Sequence, residues 1–142
     1  MRVSEIAIEK IKDFEGFRAT AYKCPAGKLT IGYGHTSGVL TYQKCTREQA
    51  HMWLVDDMRA AEKCVGALGI DMTQGQFDAL CDFVFNVGAA NFHRSTLLKK
   101  IRAGAGEAEI RGEFSRWVFA AGKVLPGLIT RRQWESDRYF EN

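Results

Sequence analysis

The sequence predicts an α+β chain: a small β-containing N-terminal lobe and a mostly helical C-terminal lobe, joined by a long helix. Three observations carry this expectation. Val3, Ile6, Ala7, Ile11 and Phe14 recur at helical spacing on one face. Residues 20 to 45 then change character, with short strand-like pieces broken by proline and glycine. From Thr46 the helical period resumes and persists to the end. With 142 residues, 46% of them hydrophobic and 26% charged, the chain suits one domain whose two small lobes share a core. The N-terminal lobe is expected over about 15–45, and the helical lobe over about 66–142 together with the first helix.

The first helix takes Ser4 as its cap and Gly16 as its stop. Two strand-like pieces follow, around 20–24 and 28–33, with Pro25, Ala26 and Gly27 as the turn between them. Gly32, Gly34 and Gly38 keep the next stretch bare and able to take positive φ. Such a β region is too small to stand alone. Thr46 and Gln49 form a capping box for the long helix, whose inner stripe reads Ala50, Trp53, Leu54, Asp57, Met58, Ala61 and Val65. Asp57 is the one acid on that stripe. Two readings stand for it, a pair with His35 or a place in water at the edge of the stripe.

Thr73 and Gln76 form a second capping box. The helix after it carries Phe77, Leu80, Cys81, Phe83, Val84 and Phe85, apolar on nearly every side, which marks a central buried helix ending near Gly88. Two further helices are expected, about 95–103 and 107–117, separated by Gly104 and Gly106. AAGKVLPGL then reads as a loop, with Pro126 placed to open the last helix.

The net charge of +3 is a mild bias towards anionic partners, too small to choose among them. Basic residues alternate with acids along the helices, and no basic stripe with interleaved aromatics marks a nucleic-acid binder. No apolar stretch is long enough to span a bilayer, and the first residues, MRVSEIAIEK, do not read as an export or anchoring signal. The four cysteines, Cys24, Cys45, Cys64 and Cys81, are therefore expected to be reduced. Their spacings, and those of His35, His51 and His93, match no zinc pattern, so no metal or organic cofactor is expected.

Residues 15–30, EGFRATAYKCPAGKLT, bring a carboxylate, a thiol and a hydroxyl into order: Glu15, Cys24 and Thr30. Taken alone, Glu15 reads as a solvated helix-end residue. The spacing of the other two singles it out, since a tight hairpin folds Cys24 and Thr30 back towards the helix terminus. A helix C-terminus repels an anion, and with partial burial this raises a carboxyl pKa, as a general acid at neutral pH requires. A long substrate is expected to lie between the β region and the helical bundle.

Three blocks in this order, EGFRATAYKCPAGKLTIGYGHTSGV, QFDALCDFVFNVGAANFHRSTLL and RWVFAAGKVLPGLITRRQWE, resemble the phage-type lysozymes, the endolysin family of peptidoglycan-cleaving glycoside hydrolases. The resemblance covers nearly the whole chain and implies a lysozyme-like fold and muramidase activity. It implies that Glu15 protonates the glycosidic oxygen between N-acetylmuramic acid and N-acetylglucosamine, and that Thr30 positions water on the opposite face of the sugar.

Where many members have an aspartate base in an inverting displacement, this chain has Cys24, a variant some endolysins share. Three roles are open to it: weak base or electrostatic partner of the attacking water, nucleophile, or tolerated substitute. The first is preferred, with Lys23 and Lys28 as neighbours able to lower the thiol pKa. Some secreted endolysins hide this cysteine in a disulfide and carry an N-terminal apolar anchor. No such anchor is read here, so redox control is not expected, although Cys24 with Cys45 is the pair to inspect.

Motif matching further implies substrate contacts at Thr36, Phe85, Thr96 and Arg111, with core packing as the rival role for Phe85. An arginine of the PGLITRR block, Arg131 or Arg132, is expected to face Glu15, and His35 to support the site. As an endolysin the chain is expected to act as a monomer on bacterial peptidoglycan, without nucleic acid or stable membrane association. It would accumulate in the host cytoplasm and reach the wall through holin-made holes. Chitin or chitosan hydrolysis is a close variant. A catalytically weakened wall-binding or tail-associated domain is the alternative of a different class.

Overall fold

The computed structural model describes residues 1–141 and divides into two compact units. One comprises Ile8–Arg59; the other joins Met1–Ala7 to the chain from Ala60 onward.

Helix α1 (Glu5–Glu15) starts where the Ser4 hydroxyl accepts the Ala7 N–H at 3.3 Å. It stops at Gly16, whose φ of 71° suits only a residue without Cβ and whose N–H bonds the Lys12 carbonyl at 2.8 Å. Its buried stripe is Ala7, Ile8 and Ile11, while Ile6 is 66% exposed. The expected face is thus rotated towards Ile8. Ile6 and Ile8 flank Ala7 at equal angles, so periodicity alone does not choose between them.

Strands β1 (Arg18–Lys23) and β2 (Leu29–Gly32) pair antiparallel with Tyr22 opposite Thr30 and Lys23 opposite Leu29. The register slips between Arg18 and Tyr22, as at a bulge. Residues 43–45 flank the other side of β1: the Ala21 N–H bonds the Gln43 carbonyl, the Cys45 N–H bonds the Ala19 carbonyl, and Thr20 faces Lys44. That third line of pairing carries no strand-like sequence pattern. Helix α2 (Arg47–Gly66) begins at the Thr46–Gln49 capping box and buries Ala50, Leu54, Met58, Ala61 and Val65.

The second unit centres on α3 (Gln74–Val87), opened by the Thr73–Gln76 capping box. Phe83 receives edge contacts from Phe92, Phe114 and Trp117. Helices α4 (Ala89–Arg94), α5 (Thr96–Arg102) and α6 (Glu107–Phe114) follow. The sequence reading lacks α4, a six-residue helix anchored by one buried side chain, Phe92. It also overran α6, which ends at Phe114. The expected loop after α6 contains a hairpin, β3 (Phe119–Ala120) with β4 (Lys123–Val124). Ala121 and Gly122 at its tip both take positive φ, as a two-residue hairpin turn requires. Pro126 opens α7 (Pro126–Tyr139), the main packing partner of α3.

Two acids interrupt the nearly all-round apolar pattern of α3. Asp78 and Asp82 are both fully buried. Asp78 accepts from the Ser4 backbone N–H, from Gln74 and from Arg138, tying the chain start and α7 to α3. Asp82 grips Arg131 with both oxygens, at 3.0 and 2.7 Å. Beside it Glu135, fully buried, contacts Arg132 at 2.7 Å. Burial drives the Glu135 carboxyl well above its ordinary range, helped by the negative Asp82 alongside and a hydrogen bond with it. Burial pushes Asp82 upward too, but the Glu135 hydrogen bond and the two guanidiniums outweigh it and hold Asp82 low. The two carboxyls are thus pushed in opposite directions, Glu135 up and Asp82 down.

The signs of the two groups oppose each other. Asp82 contributes stability above the unfolded carboxyl pKa, lost as pH falls through its lowered folded value. Glu135 binds a proton in the fold that the unfolded chain releases above about pH 4.3, so its contribution falls as pH rises from there. Chemical denaturation of Glu135→Gln, which keeps a donor for Asp82, is expected to match the parent near pH 5 and to exceed it by pH 8. Asp82→Asn, which removes the carboxylate charge that grips the buried Arg131 guanidinium, is expected to cost about 3 kcal/mol or more throughout.

Candidate active site

Glu15, Cys24 and Thr30 all belong to the Ile8–Arg59 unit. Glu15 is the last residue of α1 and is half-buried. Its carboxylate lies against Gly34, where an added Cβ would stand 2.6 Å from Oε1. Gly34 also holds φ at 77°. A side chain there would displace the Glu15 carboxylate and be strained by the positive φ, so bare backbone forms one wall of the Glu15 seat. Gly32, at φ 65°, does the same towards α2: a Cβ on it would stand 2.9 Å from the Ala50 Cβ.

Cys24 sits at the mouth of the β1–β2 turn. Its N–H donates to the Lys28 carbonyl at 2.9 Å, and its carbonyl accepts from the Gly27 N–H at 2.8 Å. The thiol pKa is lowered, first by the backbone N–H of Lys28, against an opposing effect of burial, and further by the Ala26 N–H and the Thr30 hydroxyl. The expectation that the Lys23 and Lys28 ammonium groups supply this effect is thereby corrected. Lys28 acts through its peptide dipole, and the turn is a small nest of N–H groups converging on sulfur. Thr30 is buried, and its hydroxyl also donates to the Lys28 carbonyl at 3.2 Å. The hairpin therefore brings Cys24 and Thr30 together, as their spacing suggested.

His35 follows the Gly32–Gly34 turn and pairs with Ile31 through backbone hydrogen bonds in both directions. Its Nδ1 lies 2.8 Å from Asp57 Oδ2, and its ring stacks on Trp53 at 4.7 Å. Of the two readings of Asp57, the pair with His35 is the one observed. Thr36, next along, is exposed.

The remaining candidates lie in the other unit. Phe85 is half-buried on α3, beside the buried Phe83 and Val84. Thr96 opens α5 and lines a shallow recess of about 260 Å³ with Glu113, Arg116 and Trp117. Arg111 is held by Glu107 at 2.8 Å and Asp137 at 2.7 Å, and its cation lies over the Phe140 ring. Arg131 and Arg132 are both buried, but differently: Asp82 takes Arg131, while Arg132 bonds Glu135 and the Trp117 carbonyl.

Sequence reasoning missed Gly34, Trp53, Asp82 and Glu135, which support site residues rather than match a motif. The GYGH glycines were visible, but which of them meets a carboxylate was not. All four cysteines are free thiols, Cys24 and Cys45 included. Among the described residues no cluster of three or more His, Cys, Asp or Glu side chains is placed to hold a metal, and no helix is long and apolar enough to cross a membrane.

The thiol environments predict an order of alkylation. Cys24 is lowered by turn N–H groups and Cys81 is buried and pushed far up, so iodoacetamide followed by mass spectrometry is expected to label Cys24 first and Cys81 last. The rate midpoint for Cys24 is expected below the usual thiol value, and Thr30→Val is expected to raise it.

Comparison with known proteins identifies the fold and the family. The phage lysozyme family model matches residues 12–135. The chain is 41% identical over 140 residues to the endolysin of Acyrthosiphon pisum secondary endosymbiont phage 1, covering 95% of each. It is 44% identical over 139 residues to the endolysin of Bacillus phage PZA, covering 95% of this chain and 54% of that one. It thus spans about half the length of that relative. Among solved structures, the muramidase domain of SpmX from Asticaccaulis excentricus superposes with a TM-score of 0.91 at 34% identity, covering 99% of both chains. A small N-terminal hairpin followed by mostly helical structure is the fold they share, and this chain belongs to the phage lysozyme family.

Proposed function

We propose that this chain is an endolysin whose Glu15, Cys24 and Thr30 hydrolyse the β-1,4 bond between N-acetylmuramic acid and N-acetylglucosamine in bacterial peptidoglycan. Family membership supports the muramidase activity. What supports the assignment of residues is the hairpin itself: it sets Cys24 at the mouth of the turn two residues in register from the buried Thr30, with the thiol pKa lowered by the turn, while α1 brings a carboxyl against bare backbone at Gly34.

In this reading Glu15 donates its proton to the leaving glycosidic oxygen as the C–O bond breaks. Positive charge develops at the anomeric carbon. A water held by Thr30 attacks from the opposite face, and Cys24, with its lowered pKa, accepts the proton that water gives up. Sulfur held by peptide dipoles acts here as a base or an electrostatic partner rather than as a nucleophile. Thr36, Phe85, Thr96 and Arg111 are proposed as saccharide contacts, with His35, Arg131 and Arg132 in support. Arg111 already holds two carboxylates, so its part is to present a fixed charge rather than a mobile one. The protein is proposed to accumulate in the host cytoplasm as a monomer and to reach the wall through holin-made openings.

Turbidity loss of permeabilised Gram-negative cells under reducing conditions tests the assignment. Glu15→Gln is expected to lose on the order of 100-fold or more in rate. Cys24→Ser is expected to fall and Cys24→Asp to recover. Full activity in Cys24→Ser would make the thiol a bystander. An unmodified chain that sediments with cell walls yet clears nothing would replace the enzyme with the wall-binding alternative. Gly34→Ala, which intrudes on the Glu15 carboxylate, is expected to lower the rate about tenfold or more while circular dichroism stays native.

A further inference from the structure

The basic bias of this chain is not spread over it. Residues 16–47 hold Arg18, Lys23, Lys28, Lys44 and Arg47 and not one acid, whereas the other 110 residues hold 15 lysines and arginines against 17 acids. The folded unit keeps those five charges available. All five side chains are exposed, and none of them forms an ion pair among the described residues. The contrast with the other unit is sharp. There Arg2, Arg111, Arg116, Arg131, Arg132 and Arg138 each contact a carboxylate.

Four of these charges lie on or beside the small sheet, and Arg47 opens α2 directly after it. Thr20 faces Lys44 across the third line of pairing, two residues along β1 from Arg18. Arg18 lies over the Tyr22 ring at 4.7 Å and Arg47 over the Phe17 ring at 4.3 Å, so both guanidiniums are seated on aromatic faces with no carboxylate to neutralise them. Lys23 and Lys28 flank the turn that holds Cys24. A six-residue strand is only about 20 Å long, shorter than the Debye length of about 30 Å at 0.01 M salt, so the fields of neighbouring charges add at low ionic strength.

We propose that this acid-free sheet is a docking surface for the carboxylate-bearing peptide stems of peptidoglycan, which draws an anionic glycan strand across the turn carrying Cys24. The inference rests on the muramidase reading and names what that reading leaves open, the part of the substrate recognised besides the sugars. Charge complementarity selects the occupant: a polymer with carboxylates repeated along its length meets five unpaired cations in series. Such contacts act mainly on encounter and ground-state binding, and they weaken as salt rises.

The test compares the full chain with the triple variant Arg18→Gln, Lys44→Gln, Arg47→Gln, and with Lys44→Gln alone, which leaves both aromatic seats intact. Hydrolysis is followed on intact sacculi and on glycan strands stripped of peptide by an amidase. The triple variant is expected to raise KM on sacculi about tenfold at low salt with kcat within about twofold, Lys44→Gln by about two- to threefold, and neither to alter KM on stripped glycan. The parent's advantage is expected to vanish above about 0.5 M salt. An unchanged KM on sacculi, or an equal rise on stripped glycan, would overturn the proposal. Binding is read separately by co-sedimentation of Glu15→Gln chains with sacculi and with phosphatidylglycerol vesicles. Loss of sacculus binding on adding the triple substitution supports the docking surface even if the parent shows no turnover, in which case only the muramidase reading fails. Retention on vesicles but not on sacculi would assign the surface to a membrane and overturn it.

Discussion

Bare backbone between Gly32 and Gly34 is the constraint on which the N-terminal unit depends. At both ends of that turn a side chain would displace its neighbour and be strained by the positive φ. Without Cβ atoms there, the end of β2 comes into contact with Ala50 on α2, and the turn reaches the last carboxylate of α1. His35 then closes the turn through its backbone pairing with Ile31, and its side chain is fixed by Asp57 and Trp53. Two helices and a hairpin are thus pinned around one five-residue segment. The Glu15 carboxylate, the proposed acid, lies directly against that segment.

Charge is handled in three ways. In the helical unit it is buried and compensated: Asp82 with Arg131 and Asp78 with Arg138 join α3 to α7, and Glu135 bonds Arg132 within α7 beside them. A buried pair of this kind contributes specificity more than net stability, because desolvation offsets much of the attraction. Around Cys24 charge is managed by dipoles. Peptide N–H groups rather than ammonium groups lower the thiol pKa of Cys24. On and around the small sheet it is left uncompensated, with five exposed cations outside any ion pair among the described residues. These are consistent with one task, since a rigid helical body, a poised polar turn and an attractive rim suit an insoluble polymer substrate.

Several errors of sequence reading share one cause. The hydrophobic pattern reports which face is buried only when that face is broad. On α1 the choice between Ile6 and Ile8 depended on what packs beside Ala7. On α3 the dense apolar pattern concealed Asp78 and Asp82, whose burial is tolerable only because arginines more than forty residues away in the chain reach them. Helix α4 and the β3–β4 hairpin are too short for periodicity to mark, and both exist because neighbouring elements hold them.

By itself the sequence determined the α+β order of elements, the caps at Ser4, Thr46 and Thr73, the break at Gly16, the opening of α7 at Pro126 and the family. All of these are local signals or motifs, written within a few residues of where they act. It also set Cys24 and Thr30 on one hairpin, because the turn between them is local. Only the tertiary structure decided that Gly34 seats Glu15, that His35 pairs with Asp57, that peptide dipoles rather than lysines lower the Cys24 pKa, and how Arg131 and Arg132 divide their partners. The physical reason is that hydrogen bonds, steric exclusion and desolvation depend on distances between segments remote in the chain, and one sequence without its fold carries no record of those distances.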